Sequence, residues 1–162
     1  MTAAAARHAL DARPADIAEW EDLLVRLELG PLALRSTLET VPAGDAGVRA
    51  QLAALLATEQ WAVEAIGALR DGRRVSARPA PDAVPADADG LDADTLSHRY
   101  AALRRKNFAQ VQRRGLEVWD WQSERAEGGM ISVFGLLALL IDEDVRALAA
   151  IRARRSGSSA PC

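Results

Sequence analysis

The stretch Val48-Arg-Ala-Gln-Leu52-Ala-Ala-Leu55-Leu-Ala-Thr-Glu59-Gln-Trp61-Ala62-Val-Glu-Ala-Ile66-Gly-Ala-Leu69 decides the fold class. Val48, Leu52, Leu55, Glu59, Ala62, Ile66 and Leu69 recur at alternating steps of four and three residues, the period of one helix face. Asp45 stands where an N-cap belongs, because its carboxylate can accept from the free N–H groups of the first turn. Gly72 stands where a helix stops. The segment predicts a long amphipathic helix that cannot bury its apolar face alone.

Three further stretches supply partners. Ile17, Trp20, Leu24, Leu27, Pro31, Leu34 and Leu38 make a second stripe, entered after Arg13-Pro14, where Pro14 suits a helix beginning. Gly30-Pro31 interrupts it and predicts a kink or a split, since proline removes a donor and crowds the preceding turn. Leu96, Tyr100, Leu103, Asn107 and Val111 form a third stripe, with Asp92 or Asp94 as cap and Gly115 as stop. Val133, Leu136, Leu137, Leu140, Glu143 or Asp144, Ala147 and Ile151 form a fourth, capped by Ser132. Residues 73–91, with Pro79, Pro81 and Pro85, read as a long, mobile crossover loop. No β-branched runs compete and no internal repeat is seen. The chain is read as all-α: a four-helix bundle with a long crossover connection. Residues 1–13 are a flexible N-terminus, 14–155 the single domain and 156–162 a disordered tail.

Composition bounds the function classes. With 162 residues, 49% of them hydrophobic, the chain can bury one substantial core. Twenty basic and 23 acidic residues are interleaved for a net charge of −3, so no field of one sign points to nucleic acid or a membrane. The cluster Arg104, Arg105, Lys106, Arg113 and Arg114 is broken across helix faces and lacks interleaved aromatics, which reads as a solvated face. The lone Cys162 permits neither an internal disulfide nor a paired-cysteine metal motif, and fits a reducing cytoplasm. The apolar run Met130–Ile141 is well short of the ~20 residues of a membrane span. No long apolar stretch follows Arg7 at the N-terminus, so no secretory signal is expected. Abundant alanine and arginine with a sole lysine, Lys106, is the usage of a GC-rich bacterial genome.

Residues 15–155 resemble the DinB-like (DinB/YfiT) superfamily of bacterial four-helix bundles. The resemblance rests on Leu52-Ala-Ala-Leu-Leu-Ala-Thr-Glu-Gln-Trp61, on Arg104-Arg-Lys-Asn-Phe108, and on the segment from Gly129 through Ile151, where a glycine and a short β-like turn lead into the last helix. It implies the bundle fold, often as a homodimer, and commonly a divalent metal held by three histidines. Laid on this chain, those positions fall at Ala54, Glu143 and Ala147. Two imidazoles one turn apart and a third from another helix are what such a site needs. Here the only histidines are His8 and His98. No metal, no other cofactor and no metal-activated thiol chemistry is expected.

The remaining candidates lie inside the apolar stripes. Glu59 must pair, take up a proton or reach water. It is either an acid or base at a cavity floor or the partner of an arginine such as Arg104 or Arg35. One of Glu143 and Asp144 should face inward, and with Glu59 it would form a carboxylate pair suited to acid–base work. Otherwise Asp142, Glu143 and Asp144 are a solvated acidic turn. Of Trp119 and Trp121, flanking Asp120, only one should be buried; His98 should be at the surface. The leading expectation is a metal-free protein with an apolar, carboxylate-edged pocket for a small organic molecule. Glu59, Glu143 and Asp144 would serve isomerisation or cyclisation there, and Trp20, Ala54, Trp61, Asn107, Trp119 and Ala147 would line the pocket. The alternatives are a non-catalytic homodimeric interaction module and a divergent metal-dependent thiol S-transferase. Neither nucleic acid nor membrane is an expected partner.

Overall fold

In the computed structural model, residues 9–157 are described. The expectations for residues 1–8 and 158–162, with His8 and Cys162, lie outside them. Helix dominates: α1 (Ile17–Leu38), α2 (Ala46–Arg70), α3 (Ala93–Gln112) and α4 (Val133–Gly157), with a small ribbon of β1 (Gln122–Glu124) and β2 (Met130–Ser132) before α4. The helix starts are chemically specified. Asp16 accepts from Glu19 N at 2.8 Å, Asp45 from Gly47 N and Val48 N, and Asp92 from Thr95 N. The Ser132 hydroxyl accepts from Gly135 N at 3.0 Å. The cap of α1 is thus Asp16, two residues after Pro14. The last helix runs past Arg155, the predicted domain end, to Gly157.

α1 and α2 each pack on both α3 and α4. On α2 every residue of the predicted stripe is buried. On α1 the buried set is Trp20, Leu23, Leu27, Gly30, Leu34 and Thr37, while Ile17 is 52% exposed, so the face is rotated from the predicted one. Pro31 does not split α1, which continues through it. By length and composition α2 could cross a membrane, but 72% of its most apolar window is buried within the protein.

Two predictions about the connections change. β1 and β2 pair antiparallel, with Ser123 opposite Ile131, where no strand was expected. Gly128 and Gly129 at the intervening turn have φ of 92° and 77°, a region L residues avoid. Residues 73–91, read as mobile, are tied down at their start. Val75 is fully buried, donates to Glu124 O at 2.8 Å and accepts from Ala126 N at 2.8 Å. The segment before α1 is also anchored: Leu10 O accepts from Ser132 N at 2.8 Å, and the Ser132 hydroxyl bonds Ala12 O.

The apolar core is divided in two. One cluster holds Leu27, Ala62, Val111 and Ile141; the other holds Leu34, Leu56, Tyr100 and Ala147. On each helix the residue between the clusters belongs to a single polar layer: Gly30 on α1, Glu59 on α2, Arg104 and Asn107 on α3, and Asp144 on α4.

Candidate functional site

Arg104 is the hub of that layer. Its Nε donates to Glu59 Oε1 at 2.7 Å, and its Nη2 stands 2.6 Å from the same oxygen. Nη1 and Nη2 grip Asp144 in a two-pronged contact at 2.7 and 2.9 Å. Nη1 also donates to Leu27 O at 3.0 Å. A guanidinium has five N–H bonds, and these contacts employ all five. The side chains of Arg104 and Glu59 are 2% and 1% exposed, so no donor is left for a ligand.

The sequence of α1 makes room for this hub. Leu27 O is the acceptor that the N–H of residue 31 would ordinarily take. Residue 31 is proline, which has no N–H, so the carbonyl is open to Arg104. Gly30 supplies the space: a Cβ there would lie 2.2 Å from Asp144 Oδ2 and 3.0 Å from Arg104 Nη1. The pair predicted to break the helix is its docking notch for a buried charge.

The carboxylates are equally engaged. Asn107 Nδ2 donates to Glu59 Oε2 at 2.7 Å and to Glu59 O at 3.2 Å. Tyr100 donates its hydroxyl to Asp144 Oδ1 at 2.5 Å, and its ring lies 5.2 Å from the Arg104 guanidinium carbon. One cation faces two carboxylates, a formal −1 with both ionised. Burial pushes the Glu59 carboxyl above the ordinary range, against the opposing pull of Arg104 and Asn107. Burial likewise raises the Tyr100 hydroxyl, with Arg104 opposing and Asp144 reinforcing. For Arg104 burial disfavours the cation, but Glu59 and Asp144 outweigh it and hold the side chain firmly protonated. Losing one partner of such a buried set costs about 3–5 kcal/mol, because it strands uncompensated charge.

The predicted site residues do not converge. Glu59 and Asp144 meet through Arg104, so the arginine reading of Glu59 describes its surroundings. Arg35, the other suggested partner, is exposed. Glu143 is elsewhere: its Oε1 lies 2.6 Å from Arg78 and 2.8 Å from Arg146, so it shares no partner with Glu59. Asn107 joins the polar layer instead of lining a pocket. Trp20 is core and meets Trp119 edge-on at 6.3 Å. Trp61 is buried and donates to Ser76 O. Ala147 packs with Leu34 and Val48, and Ala54 is half-buried. Trp119 and Trp121 are both half-buried, not one in and one out. The positions corresponding to a metal triad do not fit a metal: Ala54 and Ala147 have no donor, and Glu143 is committed to arginines. Among the described residues no three His, Cys, Asp or Glu side chains gather as a ligand set.

The open concavity lies to one side of the polar layer, between the C-terminal half of α1, the α1–α2 connection and α3. It is a cleft of about 690 Å³. Its walls are Pro31, Leu38, Val41, Pro42, Ala101 and Phe108, and Arg35, Ser97, His98 and Asp94 add polar groups. Exposed His98 stands here, its Nδ1 2.9 Å from Asp94 O. Only Arg104 of the polar layer reaches the cleft, as part of its floor. The sequence missed this site because its walls come from a helix, a connection and another helix, none with a motif of its own.

No protein-family model, no curated protein and no solved structure matches this chain.

Proposed function

We propose that this chain is a cytoplasmic, DinB-like four-helix bundle that binds a small organic molecule in the cleft between α1 and α3. The observation that carries the reading is the cleft itself, with its mainly apolar wall and a few polar groups at the rim, the usual make-up of a small-molecule site. The carboxylates at its edge are Glu28, Glu39, Asp45 and Asp94, not the predicted Glu59, Glu143 and Asp144. Glu59 and Asp144 serve the scaffold: they fix Arg104, which joins the helices beneath the cleft. The proposal is therefore of binding, without a proton-transfer step through Glu59.

A thermal-shift screen with small organic compounds tests it, since a ligand of the native state raises the melting temperature by mass action. Ala101 is half-buried on the cleft wall. Ala101→Trp fills the cleft and replaces no member of the polar layer. Stabilising compounds should lose their effect in this variant while its own melting temperature stays near wild type. Compounds that stabilise both proteins equally would place binding elsewhere and end the reading.

A second reading has its own observation. Val25, Leu29 and Leu32 are 53%, 52% and 64% exposed and lie on the side of α1 opposite its core face. An apolar stripe of this kind suits pairing with a second copy of the chain. A concentration-dependent dimer in light scattering, abolished by Leu29→Glu, would favour it.

A further inference from the structure

A second, smaller cavity lies away from the cleft, where the C-terminal ends of α2 and α3 meet the turn before β1. It has a volume of about 160 Å³ and is lined by Ile66, Arg70, Gln110, Arg113, Arg114 and Trp121. Three of the six are arginines and none is acidic. Their positive charge is only partly answered. Arg70 spends Nε and Nη2 on Asp71 at 2.8 and 3.3 Å, which leaves Nη1. Among the described residues Arg114 pairs with Glu117 alone, at 4.0 Å. Among the described residues Arg113 takes part in no ion pair.

A second observation is independent of the arginines. Gln110 lines the same cavity, and among the described residues its Nε2, turned away from solvent, has no hydrogen-bond partner. A buried amide donor left unmade costs about 1–3 kcal/mol, and such a group calls for an acceptor the protein itself does not provide. Three guanidiniums and one amide donor ask for the same thing, an anion with several acceptor oxygens. Guanidinium planes match phosphate geometry through paired N–H contacts. The remaining walls, Ile66 and the Trp121 indole, are apolar and would receive an organic substituent on that anion.

We infer that this cavity is an oxyanion site for the phosphate group of a small molecule. Arg113 and Arg114 supply charge, the Gln110 amide supplies a neutral donor by turning toward the anion, and Trp121 supplies a stacking wall. The site shares no lining residue with the cleft and does not depend on the function proposed for it.

Calorimetric titration of the full chain with sodium phosphate, at ionic strength held constant with chloride, reads the inference directly. Saturable one-to-one binding at or below about 1 mM is expected. The double substitution Arg113→Gln and Arg114→Gln, on exposed side chains, should weaken it at least ten-fold. Gln110→Leu should also weaken it several-fold. If Gln110 were merely an inward-turned amide, the leucine variant would bind as wild type does. Phenyl phosphate binding ten-fold tighter than inorganic phosphate would identify an organic phosphomonoester as the natural class; equal affinities would identify free phosphate. Absence of saturation up to about 10 mM, or saturation unchanged in the double variant, overturns the site.

Discussion

At the scale of single residues, glycines on different helices distinguish a notch from a weak point. A mid-helix glycine is ordinarily a cost of about 1 kcal/mol relative to alanine. Gly67 fits that rule: a Cβ there meets nothing within 4 Å. Gly67→Ala should therefore raise stability by up to about 1 kcal/mol. Gly30→Ala should do the opposite, because its methyl group would displace the Asp144 carboxylate from Arg104. The expected loss is about 2–4 kcal/mol, combining overpacking with a disturbed buried ion pair. Urea denaturation of the two variants beside wild type gives the comparison. A Gly30→Ala protein as stable as wild type would mean the polar layer is not docked on α1. The sequence offered Arg104 both as part of a basic run on a solvated face and as a partner for Glu59, and the second is what the structure holds. The clue to its burial was indirect: Glu59 and Asp144 both sit at apolar-stripe positions, and two buried carboxylates demand a cation.

At the scale of elements, the helices were legible because their caps and their period agree. Asp45, Asp92 and Ser132 accept from first-turn N–H groups, as their side-chain chemistry requires. The rotation of α1 was not legible, because leucines stand on both sides: Leu23 and Leu24 fit two stripes equally, and packing chose Leu23. The hairpin was missed because β1 and β2 are three residues each, too short for an alternating pattern. The anchoring of the N-terminal segment has no local signal at all. It depends on Gly135 at the start of α4, where a Cβ would lie 2.0 Å from Leu10 O. Gly135→Ala should push the segment off α4 and expose the Ser132 N–H, with a stability loss of about 1–3 kcal/mol. Hydrogen exchange at the Ser132 amide, which donates to Leu10 O in the docked state, reports the release. Unchanged protection of Ser132 would show that the segment adapts without leaving.

At the scale of the whole molecule, the polar layer joins all four helices, so its charge state is felt by the entire fold. This part of the candidate site could not be read from any one helix, since each contributes one or two groups that look unremarkable alone. Its pH response follows from Glu59. The folded protein raises the Glu59 carboxyl above its ordinary value of 4.5 through burial, so it holds that proton more tightly than the unfolded chain does. The contribution of Glu59 to stability is fully present below about pH 4.5. It is lost as pH rises through the elevated folded value. The groups facing Glu59, namely Arg104, Asn107 and, across the arginine, Asp144 and Tyr100, stay in place in a Glu59→Gln protein, which resembles the protonated form. Asp45, Asp71 and Asp92 are lowered by hydrogen bonds and nearby arginines, so they act in the opposite sense and favour the fold as pH rises through 3.8. They are common to both proteins and cancel in the difference. Denaturation measured from pH 4 to pH 8 should therefore show wild type losing ground to Glu59→Gln as the pH increases above 4.5, until the elevated folded value is passed. Parallel curves would mean that Arg104 alone neutralises Glu59 and that the layer holds no proton above the ordinary carboxylate range.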